Sequence, residues 1–155
     1  MIRTRVGYAG GNKDNPTYYS LGNHSETIQM DYDPAVISYA DLLDMFWANH
    51  SPQSRPYSQQ YASIIFYHNE EQRRLAEETK AREEARLGKR VLTEIKAAGT
   101  FWWAEDYHQK YYLQSSSGLM RELRAKYPDF RDLVNSTEAA RANGYSGGYC
   151  PAPEL

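Results

Sequence analysis

The sequence has very little cysteine: Cys150 is the only one in 155 residues. A single thiol excludes an internal disulfide and any metal site built from several cysteines. The chain also lacks an apolar run of the roughly 18 residues that a membrane span needs, and its first residues contain no apolar leader. We therefore expect a cytoplasmic protein with no membrane segment.

The chain also lacks an excess of charge of either sign, because 18 basic and 20 acidic residues leave a formal net charge of -2. Electrostatic attraction to nucleic acid or to an anionic membrane is therefore not expected. A length of 155 residues fits one domain. Aromatic residues, in contrast, are plentiful, and the 14 tyrosines supply apolar faces that carry a hydroxyl group. We expect a single domain over residues 1–155 and a monomer.

Four segments have the patterns of strands. Alternating apolar residues predict half-buried strands over 2–8 and 26–32, which can pair with each other. The run 61–67 is apolar on both faces and rich in aromatic and β-branched residues, so it predicts a central strand. A short strand is predicted over 91–95.

Helix signals occupy the remaining segments. Ser38, with Asp41 three residues later, predicts the start of an amphipathic helix. Residues 69–87 contain no glycine or proline and are followed by Gly88, which predicts a solvated helix with a glycine cap. Two further short helices are predicted over 119–126 and 136–142.

This order of elements predicts an α+β fold. A ferredoxin-like plait has the order β-α-β-β-α-β, and one strand and one helix ahead of Ile2 would complete it. We therefore expect a plait that lacks its first strand and helix and carries extra helices at its C-terminal end. The expected layout is a core over 1–113, a helical extension over 114–143 and a glycine-rich, irregular tail over 144–155.

Four groups of segments carry a family resemblance. They are Val6-Gly7-Tyr8-Ala9-Gly10-Gly11 with Asn15-Pro16-Thr17-Tyr18, then His24-Ser25-Glu26, then Tyr39 through Trp47 with Asn49-His50, and Ala104-Glu105-Asp106-Tyr107-His108-Gln109. Their order and spacing, over about residues 4 to 113, resemble the methionine sulfoxide reductase A family.

The resemblance implies an oxidoreductase that repairs proteins under oxidative stress by reducing the S epimer of methionine sulfoxide. In such enzymes a cysteine thiolate attacks the sulfoxide sulfur while an acid protonates the sulfoxide oxygen. By motif position the acid is Glu26, and the phenols that hydrogen-bond the oxygen are Tyr18 and Tyr61. We expect Glu26 to be buried among these phenols, because burial favours a protonated carboxyl. The implied partners are proteins with oxidised methionine and a thioredoxin-like thiol reductant, with no bound cofactor.

The chain departs from the family pattern at three places. The Gly-Cys-Phe-Trp motif that holds the nucleophile is not in this chain, and Pro56 stands where the pattern has an aspartate, five residues before Tyr61. Ser146 follows Asn-Gly-Tyr, where many members have a recycling cysteine. Cys150, four residues later, is either a displaced recycling thiol or, as we favour, an incidental free thiol.

Other interpretations stay open at the sequence level. The chain could be an inactive relative that binds peptides with oxidised methionine or serves as an interaction module, or Cys150 could have taken over the chemistry. Without the resemblance, Glu26 reads as a solvated strand residue, and the two tyrosines read as ordinary packing. His24 and His108 invite a metal interpretation, but isolated histidines favour a structural role, so we expect no metal site.

Overall fold

The computed structural model describes residues 1–151. The last four residues of the predicted tail, Ala152 to Leu155, lie outside the described residues. The strands are β1 Arg3–Ala9, β2 Ser25–Asp31, β3 Ile64–Tyr67, β4 Glu94–Ala97 and β5 Trp102–Trp103. The α-helices are α1 Tyr39–Ala48, α2 Glu70–Leu87, α3 Tyr111–Gln114, α4 Ser117–Lys126, α5 Phe130–Asn135 and α6 Thr137–Ser146. The fold is thus mixed α and β, and the predicted order of its first six elements is confirmed.

The strands form two sheets. The first has the order β2-β1-β5, so the expected pairing of the first two strands is confirmed. In the second sheet β3 and β4 pair in parallel, with Ile64 opposite Glu94, and α2 connects them as a βαβ unit. The prediction that 61–67 is a central strand is wrong, because β3 begins at Ile64 and has one strand neighbour. Residues Gln59–Tyr61 form a 3₁₀ turn instead, in which the Tyr61 N–H bonds the Ser58 carbonyl.

Both predicted helix caps are confirmed. Ser38 and Asp41 form a capping box at the start of α1, each side chain accepting from the other's backbone N–H. Gly88 ends α2 with a φ of +65°, a left-handed conformation that glycine adopts without a Cβ penalty. None of the helices within residues 1–151 is long and apolar enough to cross a membrane.

The chain divides into two compact units. Within the described residues, the helical unit contains Met1–Gly7, Thr27–Asp33 and 103–151; the site unit contains Tyr8–Glu26 and Pro34–Trp102.

The helical unit is built around a core contributed by α3 to α6. Leu113, Leu133, Ala139 and Ala142 are completely buried in this core. Gln109 is buried as well, and its amide bonds both the N–H and the carbonyl of Val6, at 3.0 and 2.8 Å. The last residue of the Ala104–Gln109 motif therefore satisfies both backbone groups of Val6 in β1.

The C-terminal helices differ from the sequence prediction at three points. Residues 144–146 are helical, so the prediction of an irregular tail from Gly144 onward is wrong for them. Helix α6 continues because Ala139 and Ala142 anchor it in the core, and the side chain of Asn143 accepts from the Leu113 N–H at 3.1 Å. The prediction also contains neither α3 nor α5; the side chain of Asp129 caps the start of α5.

The core of the site unit is formed by α1, α2 and the β3–β4 sheet. Its buried apolar residues are Leu43, Trp47, Ile65, Ala76 and Val91. This core supports the exposed segments that carry the polar and phenolic groups described next.

Candidate active site

A tight loop after β1 carries the first candidate residue, Tyr18. The loop closes on His24, whose Nδ1 accepts from the Gly11 N–H at 3.1 Å and whose Nε2 donates to the Lys13 carbonyl at 2.8 Å. A Cβ on Gly11 would lie 2.6 Å from the His24 backbone nitrogen, so only glycine permits this approach. Both nitrogens of His24 are used by the backbone, which supports its structural interpretation. No cluster of metal-binding side chains occurs in the described part of the chain.

Glu26 lies near the start of β2, next to the buried Ser25. The Ser25 hydroxyl donates to the Gln59 carbonyl at 2.7 Å, and the Gln59 side-chain amide donates back to the Ser25 oxygen at 3.2 Å. The next residue along, Gln60, donates from Nε2 to Oε1 of Glu26 at 2.6 Å. The 3₁₀ turn Gln59–Tyr61 is thereby joined to the segment that carries the carboxyl group.

Tyr61 ends this turn and brings the three candidate groups together. Its phenol shares a hydrogen bond with that of Tyr18 and lies within the electrostatic reach of the Glu26 carboxylate. Partial removal from water raises the pKa of Tyr61, and so do the charge of Glu26 and the bond with Tyr18. The Tyr61 phenol therefore stays protonated at neutral pH and remains available as a hydrogen-bond donor.

The expected burial of Glu26 is not found. Its side chain is exposed, and so are the two tyrosines of the cluster: Tyr18 is 37% exposed and Tyr61 is 53% exposed. The cluster is thus an open surface site within the described residues rather than a closed pocket.

Two residues of the cluster were missed by the sequence analysis. Gln59 and Gln60 precede Tyr61 directly, so their position beside a candidate residue was the available signal. The sequence around a glutamine does not show whether its side chain is solvated or bonds a distant carboxylate. The contact between Gln60 and Glu26 joins residues 34 positions apart, so it could not be predicted from neighbouring residues.

The remaining predicted positions have simpler surroundings. Pro56 is half-buried and offers no polar side-chain group to the site unit. Ser146 ends α6, and its hydroxyl has no hydrogen-bond partner among the described residues. Cys150 belongs to the helical unit, where its thiol is exposed and lies 3.5 Å from the Arg141 carbonyl.

The Glu26 carboxyl group influences the Tyr61 phenol electrostatically, and carboxyl and phenol groups are types that can donate a proton or a hydrogen bond to an oxygen atom. The comparisons with known proteins give the family. Residues 1–142 match the family described as peptide methionine sulfoxide reductase, and the chain belongs to that family.

Similar proteins come from several kingdoms. A peptide methionine sulfoxide reductase of Drosophila melanogaster is 45% identical over 150 residues, covering 96% of this chain and 60% of that protein. The MsrA of Methanothermobacter thermautotrophicus is 46% identical over 122 residues, covering 72% of each chain. The crystal structure of reduced Mxr1 from Saccharomyces cerevisiae aligns with a TM-score of 0.68 and 28% identity, over 74% of this chain and 72% of that one. The chain thus spans about three-fifths of the length of its Drosophila relative.

Proposed function

We propose that this protein is a peptide-methionine (S)-S-oxide reductase, which returns methionine sulfoxide in proteins, or free, to methionine. The observation that carries the proposal is the cluster of Glu26, Tyr18 and Tyr61, which gathers one carboxyl group and two hydrogen-bonded phenols. Membership of the peptide methionine sulfoxide reductase family supports the same reaction.

In the proposed reaction the site donates a proton and hydrogen bonds, and two thiols supply the electrons. One sulfoxide and two thiols give one sulfide, one disulfide and one water, so the thiols supply the two electrons and the sulfoxide oxygen leaves with two protons. In this scheme Glu26 delivers a proton to that oxygen, and the phenols of Tyr18 and Tyr61 donate hydrogen bonds to it. The raised pKa of Tyr61 suits this role, because a phenolate could not donate.

The thiols of this scheme are not supplied by Cys150. Its side chain lies beyond the end of α6, is exposed and contacts one backbone carbonyl, so it lacks the positioning that a nucleophile needs. We assign the reducing role to an external thiol, such as a thioredoxin-like protein. A cytoplasmic setting suits this chemistry, because thiols are kept reduced there.

For the fold we infer a ferredoxin-like plait. The βαβ unit formed by β3, α2 and β4 supports this assignment, since helical crossovers between strands are the repeating element of the plait.

A binding and turnover experiment tests the function. The S and R epimers of N-acetyl-methionine sulfoxide methylamide are titrated into the chain and followed by NMR, and turnover is then measured with dithiothreitol. We expect binding of the S epimer in preference to the R epimer. Glu26→Gln should retain this binding, because the amide keeps the shape and the hydrogen bonds, but should lower turnover by roughly 100-fold or more. Cys150→Ser is the matched control and should change neither quantity.

A second candidate function is a module that binds oxidised methionine without reducing it. Pro56 in place of a carboxylate and the presence of a single cysteine favour this alternative. Selective binding of the S epimer without any turnover would support it against the reductase. Equal binding of both epimers, or none, would contradict both candidates.

A further inference from the structure

The side chain of Gln60 donates a hydrogen bond to the carboxyl group of Glu26. Its Nε2 lies 2.6 Å from Oε1 of the carboxyl group, and its side chain is half-buried. A donor at one carboxylate oxygen fixes the rotation of the group and leaves the second oxygen to face other partners. Glu26, which is exposed, would otherwise rotate freely in water.

The backbone that carries Gln60 is itself held. Gln59–Tyr61 is one 3₁₀ turn closed by the Ala62 N–H to Gln59 carbonyl bond at 3.1 Å. The carbonyl of Gln59 also accepts from the buried hydroxyl of Ser25, the residue directly before Glu26. The spacing between Gln60 and Glu26 is therefore set by a second, adjacent contact, and the bond between them does not depend on a chance meeting of two surface side chains.

The hydrogen bond from Gln60 favours one protonation state of the Glu26 carboxyl group over the other. A hydrogen bond donated to a carboxylate stabilises its charged form, and hydrogen bonds that involve a charged group are among the stronger ones in proteins. The titratable neighbours placed here are the phenols of Tyr61 and, through its hydrogen bond with Tyr61, Tyr18. Gln60 therefore donates to the group that would carry the proton, and its hydrogen bond favours the charged form of that group.

We propose that Gln60 is a positioning residue, which orients the Glu26 carboxyl group and sets the pH range over which this group can give its proton to a substrate. The inference rests on the proposed function, because it assigns to Gln60 an effect on the proton donor of that reaction. Gln60 needs no contact with the substrate for this role.

The test compares three variants of the whole chain. Gln60→Met removes the donor and keeps the length of the side chain, whereas Gln60→Glu replaces the donor with a negative charge. Gln59→Met is the matched control, since it lies in the same turn but donates to Ser25 and not to the carboxylate. The pH titration of the Glu26 carboxyl carbon is followed by NMR in each protein.

We expect the titration midpoint of Glu26 to rise in Gln60→Met, because the charged form of the carboxyl group loses the hydrogen bond that Gln60 donates to it. Gln60→Glu should raise it further, because like charges disfavour ionisation, and Gln59→Met should leave it within about 0.3 units of the parent. A rise that is equal in Gln59→Met and Gln60→Met would overturn the proposal, and so would an unchanged midpoint in both Gln60 variants.

Failure of this inference can be told apart from failure of the proposed function. If the parent chain does not select the S sulfoxide epimer, the function fails whatever the titrations show. If the parent selects that epimer but the titration midpoint of Glu26 is the same in the parent and in the Gln60 variants, only the positioning role fails. In the supported case, the pH dependence of S epimer binding moves in Gln60→Met in the same direction as the Glu26 midpoint.

Discussion

The helical unit and the site unit use their polar side chains differently. In the helical unit the buried Lys110 donates to the Thr4 carbonyl and hydroxyl at 2.5 and 2.7 Å, and Gln109 bonds the backbone of β1. In the site unit the polar side chains interact with one another near the surface. Gln60 donates to Glu26, and the Tyr61 phenol is affected by the charge of Glu26 and by a hydrogen bond with Tyr18.

Because of this difference, we expect substitutions in the helical unit and in the site unit to affect different properties of the protein. A bond to buried backbone cannot be exchanged for a ligand without opening the core, whereas an exposed cluster can exchange its internal bonds for bonds to a substrate. Changes in the first unit should therefore alter the free energy of unfolding, and changes in the second should alter binding and pH dependence.

The largest expected effect comes from the core of the helical unit. Leu133→Ala should lower the free energy of unfolding by about 3 kcal/mol, because the residue is 0% exposed and its truncation leaves a cavity. Tyr57→Ser, at a residue of the site unit that is 97% exposed, should change stability by less than about 0.5 kcal/mol. The free energy of unfolding of both variants is measured with urea. Equal decreases in the two variants would contradict the expected difference between the units.

The next effect concerns the pH dependence of stability through Lys110. Burial lowers the pKa of Lys110 from its usual 10.5 to about 8, with a further contribution from the charge of Arg5. Between pH 8 and 10.5 the folded protein binds fewer protons here than the unfolded chain, so this group makes stability rise with pH by up to about 3 kcal/mol. Lys110→Met should abolish that rise.

Urea unfolding at pH 7, 9 and 10.5 measures the contribution of Lys110. Lys89→Met, at an exposed position, should keep the slope of the parent protein. Identical slopes for the parent and for Lys110→Met would show that the lysine is not held away from water as the structure has it.

The smallest expected effect is at an ion pair on the edge of the helical unit. Lys126 donates to Glu138 at 2.7 Å, and Tyr127 donates to its second oxygen at 3.0 Å, which lowers the pKa of Glu138 to about 2. The stabilisation is present above pH 4.5 and is lost as the pH falls through about 2. Since Glu138 is partly and Lys126 half exposed, Glu138→Gln should cost only about 1 kcal/mol at pH 7.

Denaturant unfolding of Glu138→Gln at pH 7 and near pH 2 checks this value, and the difference from the parent should vanish at the lower pH. Glu122→Gln, at an exposed position of the neighbouring helix, serves as the control. A loss of 3 kcal/mol or more would mean that the edge of the helical unit is coupled to its core.

Local patterns predicted much of this fold. Alternation gave β1 and β2, and cap residues gave the boundaries of α1 and α2, because both signals depend on neighbours within a few positions. The prediction was wrong where a distant contact decides the local structure. The Gln59–Tyr61 turn, held against Ser25, replaces the start of a strand, and packing of Ala139 and Ala142 extends α6 past Gly144.

The candidate site shows the same division. The motif positions of Glu26, Tyr18 and Tyr61 could be read from the sequence through the family resemblance, although their roles stay predictions until the variants are measured. The solvent exposure of Glu26 could not be predicted from the sequence, because exposure depends on which segments pack over a residue.

The sequence by itself determined the family and the succession of the first six strands and helices, because both depend on short segments of the chain. Only the tertiary structure decided that Gln60 meets Glu26 and that Lys110 is buried against Thr4. Those pairs are 34 and 106 positions apart, and a contact over such a distance is fixed by the packing of the whole chain around it.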